Sequence, residues 1–76
     1  MIVKLRELRE SSGKTQEEMA ELIGLSSANA YSLKERGERK FSLDEAKIIA
    51  DSFNLRIEDI FFASEITNTV ITNRFN

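Results

Sequence analysis

Apolar residues recur along this chain at helical spacing and stop at short polar stretches. In MIVKLRELRESSG, Ile2, Leu5 and Leu8 return every third position, which predicts a first amphipathic helix of about 10 residues ending at Ser12 and Gly13. Thr15 followed three residues later by Glu18 predicts a capping box, in which each side chain satisfies a backbone N–H of the other's turn. The helix it starts carries Met19, Leu22 and Ile23 as a buried stripe, with Ala20 allowing close approach of a neighbour and Gly24 ending it in the left-handed conformation. After Leu25, the Ser26-Ser27 pair supplies a hydroxyl cap for a third helix running to about Arg36. Ser42 and Glu45 form a second capping box, and Ala46, Ile49, Ala50 and Phe53 follow at i, i+3, i+4 and i+7.

Asn54 suits the left-handed position after that fourth helix, and Ile57, Ile60 and Phe61 begin a last short one. Its cap position falls on Arg56, a poor capping residue, so a loose first turn is expected. SEITNTVITNRFN is rich in Thr, Asn and β-branched residues and does not continue the helical pattern. Two uses of it remain open: a frayed tail, or an arm that wraps a partner subunit through Ile66, Val70 and Ile71. The expected fold is all-α, a compact five-helix domain over residues 1–62 with a short C-terminal tail, residues 63–76, as the candidate dimerisation arm.

Composition narrows the chemistry. The 76 residues suit one small domain, 41% hydrophobic and 32% charged. Cysteine and histidine are both absent, which removes disulfides, thiolate nucleophiles, the commonest general base and the commonest zinc ligand. Carboxylates, lysines and Tyr31 cannot assemble a nucleophile, base and oxyanion donor, so an enzyme is not expected, nor a cofactor or metal. The N-terminus lacks a basic patch followed by a long apolar stretch, and no apolar run approaches about 18 residues, so neither signal peptide nor membrane span is expected. The cytoplasm is the expected location, without a membrane partner or small-molecule ligand.

Net charge is -2, yet its distribution matters more than its sum. Residues 1–14 carry Lys4, Arg6, Arg9 and Lys14 against Glu7 and Glu10, and residues 27–40 carry Lys34, Arg36, Arg39 and Lys40 against Glu35 and Glu38. The stretches after each are acidic. Two short helices around Gly24 make the geometry of a helix-turn-helix, whose second helix can enter a major groove. Projected at about 100° per residue, that helix places Ala30, Tyr31, Leu33 and the stem of Lys34 on one side and Asn29, Ser32 and Arg36 on the other. Small polar side chains let a helix approach base edges: Asn pairs bidentately with adenine, Arg with guanine, Ser with several groups. A plain solvated face is the alternative. In KERGERKF, Arg36, Arg39 and Lys40 surround Gly37, either as a phosphate grip or as a solvated turn interrupted by Glu35 and Glu38.

LRELRESSGKTQEEMAELIGLS, YSLKERGERKFSL and DEAKIIADSFNLRIEDIF together resemble the Cro and repressor type of helix-turn-helix regulator of phages and bacteria. The likeness spans residues 3–62. It is specific as a set, because the capped Gln16 helix, Ala20, Gly24, the Glu35-x-Gly37 turn and the final apolar helix stand in family order. The resemblance implies a five-helix fold and binding to a double-stranded DNA operator, usually as a two-fold homodimer, with transcription regulation as the function. It gives Gln16 the role of a phosphate-binding glutamine that also braces the recognition helix, and Glu35 that of a partner for Arg9. From Gly24 to Glu35 the chain is one residue longer than the family spacing. Counting back from Glu35 makes Ala28, Asn29 and Ser32 base-facing; counting forward from Gly24 selects Ser27, Ala28, Tyr31 and Ser32. Projection favours the first, since the second pulls Tyr31 from the core.

The expected DNA-binding set is therefore Gln16, Ser27, Ala28, Asn29, Ser32, Arg36, Arg39 and Lys40. A module this small buries under about 1,000 Å² on DNA, so a dimer on a palindromic operator is the expected route to affinity. The rival from another class is a protein-binding module, an antitoxin or antirepressor whose acidic half meets a basic partner.

Overall fold

The computed structural model describes residues 1–67. Over them, α1 (Val3–Ser11), α2 (Gln16–Leu22), α3 (Ala28–Glu35), α4 (Leu43–Ser52) and α5 (Ile57–Ile60) follow one another, and a 3-10 turn spans Ala63–Glu65. The all-α architecture of five short helices is the one expected.

Helix starts and stops are made by local chemistry. Thr15 Oγ1 accepts from the Glu18 N–H at 3.0 Å, and the Glu18 carboxylate accepts from the Thr15 N–H at 2.8 Å. Ser42 and Glu45 repeat the box before α4, and Ser27 Oγ caps α3 by accepting from the Ala30 N–H at 3.1 Å. Each of the first four helices then ends on a left-handed residue, Gly13, Gly24, Gly37 or Asn54, with the following N–H donating five residues back. For α2 that bond runs from Leu25 N–H to the Ala20 carbonyl at 2.8 Å, the Schellman closure that a side chain at Gly24, φ 78°, would strain.

Leu5, Met19, Tyr31, Phe41 and Ile49 are the large side chains wholly removed from water, joined by Ile2, Ala20, Ile23, Ala46, Ala50, Ile60 and Phe61. Burying a side chain of this size contributes about 1.5–3 kcal/mol. Phe41 is central: its ring meets Tyr31 edge-on at 6.1 Å and Phe61 at 5.2 Å.

Three expectations change. Leu22 remains 39% exposed, because α2 turns Met19, Ala20 and Ile23 inward and Leu22 falls roughly 100° from the middle of that face. Phe61 is buried but not helical: it follows α5 in extended backbone. The first turn of α5 is tied, because Asp59 supplies what Arg56 cannot, its carboxylate accepting from the Arg56 N–H at 2.8 Å. That same bond holds the Asp59 carboxyl below its usual value.

The described part of the tail returns to the core. Phe41 N–H donates to the Glu65 carbonyl at 3.1 Å and Thr67 N–H to the Phe41 carbonyl at 2.7 Å, a single parallel bridge that seats Ile66 against the apolar cluster. Residues 68–76 lie outside the described residues, and with them Val70 and Ile71 of the expected arm.

Candidate nucleic-acid interface

The site is built around a turn and a buried carboxylate. Between the caps Ile23 and Ser27, only Gly24, Leu25 and Ser26 connect α2 to α3, and Leu25 packs against the core as the turn reverses. Met19 and Ala20 are buried where α2 meets α3, Ala20 leaving room for the close approach.

Glu35, the last residue of α3, is 2% exposed and accepts hydrogen bonds from three other side chains. Arg9 of α1 grips it with Nε at 2.8 Å and Nη2 at 3.2 Å, Tyr31 Oη donates at 2.9 Å, and Gln16 Nε2 donates at 3.2 Å. Burial pushes the Glu35 carboxyl up, but the hydrogen bonds from Arg9, Tyr31 and Gln16 outweigh it and hold the group below the ordinary value. Burial, then the charge of Glu35, push the Tyr31 phenol upward. The guanidinium of Arg9 is raised in turn, chiefly by its hydrogen bond to Glu35. Two fork-like N–H···O bonds fix angle as well as distance, so α1, α2 and the end of α3 are locked in one relative orientation. A further bond, Ile2 N–H to the Glu35 carbonyl at 2.9 Å, closes the start of the chain onto the same point.

With Tyr31 and Glu35 turned inward, the other side of α3 is partly open to solvent. Ala28 and Ser32 are half-buried, and Asn29 and Arg36 are exposed. Ala28, Ser32 and Arg36 line one shallow groove together with half-buried Gln16, and Arg6, Arg9 and Lys14 line its α1 side. Asn29 lies outside that groove. Ser27 lines a smaller cleft with Glu17, Leu25 and Ala28, and its hydroxyl is occupied by the cap. Arg36 Nε pairs with the exposed Glu38 at 3.2 Å.

Beyond Gly37, Arg39 and Lys40 are exposed and carry no ion pair among the described residues. Their backbone is held: Lys34 Nζ donates to the Lys40 carbonyl at 3.1 Å and to Glu45 at 2.8 Å, and sits 5.8 Å from the Phe41 ring centre. Lys34 thereby ties α3 to α4, where sequence reasoning saw only an apolar stem. Arg6 and Lys14 were also missed as groove residues. The basic excess over residues 1–14 signals them, but helical periodicity does not say which side of α1 meets α3.

Among the described residues, no cluster of three or more His, Cys, Asp or Glu side chains is placed to hold a metal ion. No helix of the described residues is long and apolar enough to cross a membrane. The geometry is that of a polar helix face beside a groove with several cations, suited to base edges and phosphates.

The sequence model of the helix-turn-helix family matches residues 5–60. A protein of Archaeoglobus fulgidus described as an uncharacterized HTH-type transcriptional regulator is 43% identical over 61 residues, covering 80% of this chain and 86% of that protein. No solved structure is a significant match to the chain.

Proposed function

The chain belongs to the Cro/repressor-type helix-turn-helix family of DNA-binding transcriptional regulators, and on that premise we propose that it is a cytoplasmic repressor of the phage and bacterial type that reads a palindromic operator as a homodimer. The observation that carries the reading is the division of α3 into two faces. Tyr31 and Glu35 are consumed by the interior, which leaves Asn29 and Arg36 exposed and Ala28 and Ser32 half-buried, with Ala28, Ser32 and Arg36 on one groove with Gln16. Burial of Tyr31 favours the register in which Asn29 and Ser32 read bases over the one that needs Tyr31. Arg36 reads a base or a phosphate after exchanging Glu38, and Gln16, Arg39 and Lys40 position the backbone. Ser27 and Ala28 stand at the helix start, where close approach to the duplex matters more than hydrogen bonding.

Dimerisation follows from size, since one module buries under about 1,000 Å² on DNA. Residues 1–62 form the DNA-binding body in this proposal. Phe62, which is 76% exposed, and the segment 63–76, apart from Ile66, which packs on this chain's own core, supply the candidate subunit contact.

The test is a titration on selected and scrambled duplexes at two salt concentrations, with sedimentation to report the oligomer. Asn29→Ala is expected to lose about 1–3 kcal/mol on the selected operator and little on scrambled DNA, since it removes a base-edge pair and leaves the phosphate grip. Arg39→Ala and Lys40→Ala are expected to weaken both duplexes alike. Equal losses on both duplexes for Asn29→Ala remove it from the base-reading set. Absence of salt-dependent binding by the parent chain removes the DNA reading.

A further inference from the structure

The turn between α1 and α2 projects a cation beside the groove. Lys14 is exposed, makes no ion pair among the described residues, and lines the groove that holds Gln16, Ser32 and Arg36. The other cationic side chains of that groove are each paired with a carboxylate. Arg6 pairs with Glu10 at 3.2 Å, Arg9 with Glu35 at 2.8 Å and Arg36 with Glu38 at 3.2 Å. Glu17 is the remaining carboxylate on the lining.

Lys14 is exposed, yet its backbone is anchored. Arg9 Nη1 donates to the Lys14 carbonyl at 3.1 Å while the same guanidinium holds Glu35, and the Lys14 N–H donates to the Arg9 carbonyl at 3.0 Å. One guanidinium therefore fixes the α1–α2 turn to the end of α3. A long side chain projecting from a fixed backbone beside a polar helix face is a pre-placed donor for an anion that arrives with the ligand of that face.

We propose that Lys14 is a phosphate-binding residue, which takes a backbone phosphate of duplex DNA on the α1 side of the groove, separate from the contacts of Arg39 and Lys40 beyond Gly37. Arg9 is its positioning residue, acting through the Lys14 carbonyl. The assignment rests on the DNA reading above and adds a second grip, so that the recognition face is held to the backbone from the α1–α2 turn as well as from the end of α3.

The experiment measures the dependence of affinity on salt for the full chain on selected and scrambled duplexes. Lys14→Ala is expected to make the slope of log K against log salt shallower by about 0.9 per protomer on both duplexes, since each neutralised phosphate releases its counterions. Lys14→Arg retains the slope. Lys47→Ala is the control: Lys47 is an exposed lysine on α4, paired with Asp51 and outside the groove, and its loss leaves the slope unchanged. Duplexes carrying single uncharged methylphosphonates locate the contact, at a position whose neutralisation weakens the parent but not Lys14→Ala. A salt-dependent parent with an unchanged slope in Lys14→Ala overturns the assignment while leaving the DNA reading intact, and so does an equal loss in Lys47→Ala. A parent that binds no duplex overturns the DNA reading, and the Lys14 assignment with it.

Discussion

On the side formed by α1, α2 and α3 the interior is closed by a carboxylate, and on the side of α4 and α5 by rings. Glu35 collects Arg9, Gln16 and Tyr31 through hydrogen bonds, whereas Phe41 collects Tyr31 and Phe61 through edge-on contacts. Tyr31 belongs to both, its ring in one and its hydroxyl in the other. Hydrogen bonds to a buried charge are directional and offset a desolvation cost, so they define orientation more than they add stability. Ring packing is less directional and contributes mainly by removing apolar area from water. The oriented side is the one that presents α3; the ring side is the ballast.

The largest expected effect falls on the ring side. Phe41→Ala is expected to cost about 4 kcal/mol, since it empties a site that α3, α5 and the returning tail share. A chain of this length has a net stability of roughly 4–11 kcal/mol, so urea unfolding should find the variant marginal or unfolded. A loss below about 2 kcal/mol would mean that Phe41 is not the anchor.

Somewhat smaller is the effect of Arg9→Met, about 3 kcal/mol, because Glu35 is left charged and buried without its main partner. Combining Arg9→Met with Glu35→Leu should cost less than Arg9→Met alone, as no uncompensated charge remains. Denaturation of the two single variants and the double variant closes the cycle. Simple additivity would place the pair on an ordinary surface.

Acid probes the same contrast without mutation. The native Glu35 carboxyl titrates below its ordinary value of 4.5, so near and below that pH the unfolded chain binds more protons than the native one. Its contribution is complete above the unfolded value and is lost as pH falls through the lower native one. Tyr31 works at the other limit: its native phenol titrates above the ordinary 10.0, so the unfolded chain releases its proton first and stability falls as pH rises past that value. Urea midpoints against pH should therefore fall at both ends, and Glu35→Gln should flatten the acid limb. An acid limb identical in that variant would assign it to the exposed capping carboxylates instead.

The smallest effects are shared by both sides. Thr15→Ala and Ser42→Ala should each cost about 1 kcal/mol, since each removes the hydroxyl of a capping box. Unequal losses, read from denaturant midpoints, would show that one helix start is supported by packing and the other by its cap.

What the residue order revealed was what is decided within a few residues. Thr15 with Glu18, Ser42 with Glu45, Ser27, Gly24 and Asn54 act on their own turns, and all take the roles their spacing predicts. Leu22 was misplaced because a seven-residue helix leaves the centre of its apolar stripe undefined to within one position. The bridge of Phe41 to Ile66 was not legible either, since backbone pairing across 25 positions leaves no local pattern. On the site, the family likeness paired Arg9 with Glu35 and gave Gln16 the bracing of α3 that its bond to Glu35 performs, but the hydroxyl of Tyr31 on the same carboxylate depends on tertiary placement. So does the groove that adds Arg6 and Lys14.

The closures that end α1 through α4 have a kinetic consequence. Each is complete within six residues, each helix that follows α1 starts on its own cap, and the chain contains no proline. Boundaries can therefore form before any distant segment arrives, and no prolyl isomer has to be sorted during refolding. A chain organised in this way has most of its contacts close in sequence, and such topologies fold in microseconds to milliseconds. The slow events left to it are the long closures of the described chain, Ile2 and Arg9 onto Glu35 and the return of residues 65–67 to Phe41.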